Sequence, residues 1–310
     1  MEQKMKKIPL LSILGLGFAF AQALANDEPT EERQKINLPH SDIFVFDLDT
    51  DDKSMSLANL RNITNRKGYD NQPYFTKNSD TLIYSRGDDY QTDVYEYSFS
   101  SKRSTQLTDS PATEFSPTPS PDNTSVTFVS DRNGGIWTGE RKSLNQPRWL
   151  LKQHNNQEPV GYFAWDHDSA NLLYWSRYGF SIALTNVDTG AYRFISGNTP
   201  PSTPHVIPST NKFSFVHRQT NGQVWIKELD PKTLSIRPLV PVMGSNHNYT
   251  WTPTGEILMI QQNVLYRVNP SSDETWAKVA DLAEFQLTNA NRLAVSPDGK
   301  MLAVVGKAEE

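Results

Sequence analysis

"RLAVSPDGKMLAVVGKAEE", residues 292–310, holds two apolar segments around a single turn. Leu293–Val295 and Met301–Val305 read as short strands. Ser296-Pro297-Asp298-Gly299 between them supplies the fixed φ of proline and the positive φ of glycine that tight turns use. The stretch is therefore a β-hairpin. A lone hairpin is marginal in water, and its open edge invites pairing with other chains. Some other part of the sequence must complete its sheet.

The missing strands follow from a repeat. Apolar strands begin after similar turns at Thr81, Val126, Leu172, Phe213, Ile257 and Met301, at intervals of 41 to 46 residues. A second set begins at Asp42, Asp93, Gly135, Ser181, Gln223 and Asn263, again six in number. A weaker strand follows each of these, and another precedes each turn. Six copies of four strand types predict six four-stranded units of propeller-blade length. The phase matters. The strands from Asp42 and Met55 have the character of third and fourth strands, and the hairpin from Arg292 has that of first and second. The expectation is an all-β, six-bladed propeller over residues 41–310, closed where the N-terminal strands complete the C-terminal blade.

Two stretches, "SPTPSPDNTSVTFVSDRNGGIW" (116–137) and "LAVSPDGKMLAVVG" (293–306), resemble the WD40-like repeat of the TolB-type propellers. Pro73 and Pro117 match that repeat's first proline. Ser120, Pro121 and Asp122 match its turn, as do Ser296, Pro297, Asp298 and Gly299. Ser130, Asp131 and Arg132 match its Ser-Asp-Arg element. "TPTGE" is a fair copy of the turn, whereas "PSTNK" and "DHDSAN" are poor ones. The resemblance runs over about residues 41–306 and concerns fold more than function. TolB carries an α/β domain ahead of its propeller, and here only a short leader precedes the first strand. The resemblance thus implies a stand-alone propeller in a Gram-negative periplasm, without TolB's role in the envelope.

Residues 1–25 read as a signal peptide. Lys4, Lys6 and Lys7 precede an apolar run that ends in Ala23-Leu24-Ala25, a small-x-small cleavage pattern. Cleavage after Ala25, a flexible leader over 26–40 and a soluble periplasmic monomer are expected. The 310-residue chain has no cysteine, which excludes disulfides, thiol chemistry and lipoprotein attachment. Its formal charge of −5 becomes −7 after cleavage and gives no support for nucleic-acid binding.

The sharp catalytic signatures are missing. The sequence contains no Gly-x-Ser-x-Gly, phosphate loop, His-Glu-x-x-His or EF-hand. Two weaker constellations remain. Arg86, Arg177 and Arg218 each lie just past a second strand, and Arg132 lies one place further. In a propeller they would gather on one rim, where guanidinium forks match carboxylates or phosphates, although nearby acids such as Asp88, Asp89, Asp93 and Asp131 also offer them local partners. His154, His205 and His247 fall in loops between blades, and His217 ends a second strand. They are spread round the ring, so no metal or other cofactor is expected, and His205 is the best placed at the channel mouth. Tyr69, Phe115, Tyr162, Tyr249 and Trp251 could line a recognition surface or pack between blades. The first strands also offer Gln72, Glu114, Asp166, Asn248 and Arg292, which form no familiar ligand set. The favoured expectation is a non-catalytic scaffold that binds a periplasmic or envelope protein through Arg86, Arg132, Arg177, Arg218, His205 and Tyr249. A small anionic-ligand sensor and a metal-dependent hydrolase or lyase in the channel are the alternatives.

Overall fold

The computed structural model describes residues 35–50, 54–144, 146–151, 159–168 and 170–309. The signal segment, its cleavage point, the leader up to residue 34 and His154 lie outside the described residues.

Six antiparallel sheets of four strands each make the ring. Blades one to five run in chain order, with first strands at Tyr69–Phe75, Glu114–Pro119, Val160–Trp165, His205–Val206 and Tyr249–Trp251. The sixth blade is composite. Leu287–Val295 and Met301–Ala308 form its inner half, and Asp42–Thr50 and Met55–Asn62 its outer half. Ile43 pairs with Val305, Phe44 with Val304 and Asp47 with Met301. The C-terminal hairpin thus finds its missing strands at the other end of the chain, as its phase requires. The six first strands lie side by side around the centre.

Nearly every second and third strand is apolar on both faces, because each blade is sandwiched between two others. In blade five Ile257 and Met259 pack toward blade four, whereas Leu258 and Ile260 pack toward blade six. In blade three Leu172 and Tyr174 face blade two, and Leu173 and Trp175 face blade four. The alternation of strand side chains thus feeds six separate apolar layers, one per blade interface. Phe46, fully buried, sits edge-on to Phe285 with ring centres 5.0 Å apart.

The turn between first and second strands keeps one geometry while its sequence drifts. In blade six the Ser296 hydroxyl donates to Asp298 (2.5 Å) and accepts from the Met301 amide (2.9 Å), and Gly299 takes φ +72°. Ser120 and Asp122 repeat this in blade two, with Asn123 in the left-handed slot at φ +64°. In blade four Ile207 has no hydroxyl to offer. There the backbone pair from the Ile207 amide to Lys212 remains, and Ser209 takes φ +59°. The first strand of that blade is only His205–Val206, and Pro208, which lacks an N–H, follows it closely.

A polar seam joins blade six to blade one. The buried Asp42 carboxylate accepts from Asn62, Thr64 and the Arg66 amide. Arg66 Nε donates to Asp70 Oδ1 at 3.3 Å, and the Arg66 guanidinium also reaches the Gly87 carbonyl at 2.6 Å. Ser41 and Asp70 exchange backbone and hydroxyl bonds of 3.0 Å. The last leader residues meet blade one as well: the Ile36 amide donates to the Asp89 carbonyl at 2.7 Å.

Two outcomes follow. Phe46→Ala should cost about 3–5 kcal/mol, the range for emptying a fully buried aromatic site, read from urea unfolding. Asp70 has no exposed surface, and burial raises its carboxyl to about 6, against the pull of Arg66 and Arg86. Between pH ~4 and ~6 the folded chain would then hold a proton that the unfolded chain has released. Stability contributed at this position should fall as pH rises through that window. Other groups titrate in the same window, so the readout is a difference: in unfolding curves at pH 4, 5, 6 and 7 the stability of the wild type relative to Asp70→Asn should fall as pH rises.

Candidate functional site

The six first strands surround a cavity of about 400 Å³ on the ring axis. Its wall starts part-way along the strands and runs to the turns that lead into the second strands. His167, Ser209, Pro253 and Pro297 belong to those turns. Aromatic and proline residues are prominent in the wall, including Phe163, Trp165, Trp251, Pro73, Pro117 and Pro204. A proline costs least in a strand with a free edge, and the innermost strand of a blade is such a strand.

The inner end of the cavity is set by position in the repeat. The amide that closes each first-to-second-strand turn belongs to Thr76, Ser120, Asp166, Ile207, Thr252 or Ser296. Four residues earlier stand Gln72, Ser116, Tyr162, Thr203, Asn248 and Arg292, and all six are polar. Strand pairing is irregular next to four of them, between Asn71 and Tyr74, Phe115 and Thr118, Val160 and Tyr162, and Thr288 and Arg292. Gln72 and Ser116 take φ +57° and +54°, a region that costs non-glycine residues on the order of 1 kcal/mol. That strain is used. Gln72 Oε1 accepts from the Ser116 amide (2.7 Å) and the Ser85 hydroxyl (2.9 Å), and the Ser116 hydroxyl donates to the Gly161 carbonyl (3.0 Å). Asn248 Nδ2 donates to the Asn291 carbonyl at 3.0 Å. Each of these bonds except that from Ser85 ties one inner strand to the next.

One contact crosses the ring. Arg292 of blade six donates from Nη2 to the Tyr162 hydroxyl of blade three at 3.1 Å, and its guanidinium lies 4.9 Å from that ring's centre. Blades three and six stand opposite each other. Burial pushes the Tyr69 phenol well above its ordinary value, and the positive charge of Arg292 works against that rise. Among the described residues no carboxylate lies within ion-pair distance of Arg292.

Two of the six residues favoured from sequence meet at this cavity. The rings of His205 and Tyr249 lie edge to face, 4.7 Å apart, and both line the wall. The Tyr249 hydroxyl and Trp251 Nε1 both donate to the Ser214 hydroxyl, at 2.8 and 2.9 Å. His205 Nε2 is enclosed and has no partner. The four arginines are elsewhere. Amides at the ends of second strands bond to carbonyls just ahead of first strands, as Arg177 does to Pro159 and Arg218 to Asn198. The arginines therefore lie on the face where first strands begin, away from the turns that frame the cavity. Arg86 lies 4.8 Å over Tyr95 and Arg132 5.0 Å over Trp137, each within its own blade. Arg177 and Arg218 are exposed. Burial lowers the imidazoles of His217 and His247, the first beside Lys227 and the second beside Arg218. Among the described residues no three His, Cys, Asp or Glu side chains converge as a metal would need. Glu114 is almost fully buried and accepts from Ser110 at 2.8 Å, apart from the cavity.

No protein-family model matches the chain, and no curated protein is similar to it in sequence. Solved structures are informative instead. A putative TolB from Agrobacterium tumefaciens superposes with a TM-score of 0.65 at 15% identity, covering 86% of this chain and 98% of that one. TolB from Acinetobacter baumannii gives 0.57 at 13% identity, covering 86% of this chain and 65% of that one. The fold is that of the TolB propellers. It is shared more widely: an oligogalacturonate lyase in complex with manganese gives 0.51 at 14% identity, over 87% and 98% of the two chains. At these identities the likeness is one of fold.

His205 offers a direct check on the site. Burial, with Arg292 nearby, lowers its imidazole to about 4. Below pH ~6.5 the unfolded chain gains a proton that the folded site refuses, so the stability contributed at this position should fall as pH drops from about 6.5 to about 4, opposite in sign to the contribution of Asp70. Ring ¹⁵N shifts should show a neutral His205 at pH 6. An imidazolium at that pH would contradict the enclosed position.

Proposed function

We propose that the chain is an exported, periplasmic, non-catalytic scaffold, and that a protein partner inserts a segment of its chain into the cavity on the ring axis. The cavity itself carries this reading. It is a preformed, concave site with aromatics and prolines in its wall on a closed ring, and turns of blades three to six contribute to its edge. Aromatic side chains in such walls supply most of the affinity of recognition surfaces. The wall contains no Asp or Glu that could serve as a general acid or base. Among the described residues no helix is long and apolar enough to cross a membrane. Arg86, Arg132, Arg177 and Arg218 would form a second contact surface on the other face.

The test is partner capture from an envelope extract, with two variants that separate the faces. Thr203→Trp places a bulky ring at the cavity, and Arg86→Ala/Arg132→Ala/Arg177→Ala strips the other face. A partner retained by the wild type should be lost with Thr203→Trp and reduced severalfold at most with the triple variant. Loss only with the triple variant would move the binding site to the arginine face. A wild type that captures no partner would overturn the scaffold.

A further inference from the structure

Among the residues that line the cavity only one carries a permanent charge. No Asp, Glu or Lys lines it, and Arg292 stands at its inner end. A cation in a largely apolar recess, without a counter-ion, leaves much of its attraction for an anion unspent. Tyr162 takes up one N–H of the guanidinium and part of its face. A hydroxyl and a π-face leave the charge itself unneutralised, and they fix the direction of the remaining N–H groups. An arginine needing only solvation would sit at the rim, as Arg177 and Arg218 do.

We propose that Arg292 is the anchor of a carboxylate-binding site at the inner end of the cavity. The proposal rests on the cavity being the binding surface of this protein. The guanidinium fork supplies the charge and the paired N–H donors, and the hydroxyl of Thr203, at another position of the same ring, can donate a further hydrogen bond; the Asn248 amide hydrogens are already given to Asn246 and Asn291. A singly charged carboxylate matches the site better than a phosphate. One fixed positive charge faces it, and the prolines at Pro73, Pro117 and Pro204 remove backbone N–H groups that a phosphate nest would use. The rest of the bound molecule lies against Trp165 and Trp251. The carboxylate comes either from an acidic side chain of a protein partner or from a small free acid.

Binding is read from the fluorescence of Trp165 and Trp251 and by calorimetry, at low salt, on the full mature chain. The probes are acetyl-Gly-Glu-Gly-amide, its Gln counterpart, butyrate and inorganic phosphate. The expected result is saturable binding of the Glu peptide or butyrate, at least about tenfold tighter than the Gln peptide and phosphate. Arg292→Gln should abolish that preference. Because this change also removes the contact to Tyr162, Asn248→Asp serves as a second variant. It leaves Arg292 in place and sets a competing carboxylate at the neighbouring ring position, and it should weaken carboxylate binding at least about tenfold. The tighter of Glu peptide and butyrate identifies the source of the group. Equal affinity for Glu and Gln peptides, a preference for phosphate, binding unchanged in both variants, or no binding of any probe at ~10 mM would each overturn the proposal. A partner captured equally by wild type and Arg292→Gln would remove the carboxylate anchor and keep the scaffold. Carboxylate binding with no captured partner would do the reverse.

Discussion

The pairing of Asp42–Thr50 with Met301–Ala308 is the constraint on which the remaining structure depends. These segments lie at opposite ends of the described chain, so their six-residue register can form only when every blade between them is in place. In return the ring has no open face. Each blade buries both of its apolar surfaces, and the protein does so without a disulfide. The Asp42, Arg66 and Asp70 seam sits at the same junction. Its buried charges contribute little net stability, and they favour one alignment of the first strand over its neighbours.

Closure also makes the cavity. Six first strands brought to one axis place equivalent residues at equal depth, so a single position in the repeat becomes a ring of side chains. Here that position is polar in all six blades, and the strand irregularities beside it turn Gln72 and Ser116 toward the next inner strand. The cost is local backbone strain, and the apolar layers between blades hold it in place.

The fold was legible because it depends on features that repeat. The spacing of the turns, the apolar runs from Ile257 and Leu172, and the Ser-Pro-Asp-Gly copies all survive in sequence, and the phase of the terminal strands indicated closure. The site was much less so. Gln72, Asn248 and Arg292 stood out as polar residues in first strands and Tyr162 only as a candidate recognition aromatic, whereas Ser116 and Thr203 did not stand out. Counting back four residues from each turn would have aligned them. A bulge, however, breaks the two-residue alternation that tells inside from outside, and blade four hides its turn because Ile207 stands where Ser296 stands in blade six. The contact between Arg292 and Tyr162 joins residues 130 apart, and no local pattern announces it.

That contact has a further consequence for traffic along the axis. A propeller channel is often drawn as a tunnel with two ends. Here a guanidinium and a phenol from opposite blades meet across it, and the cavity begins at their level. The pair narrows the axis at the inner end of the cavity, while the turns frame its other end. A molecule that enters from the side of the turns therefore meets a charged, hydrogen-bonding floor before it meets the far face of the ring.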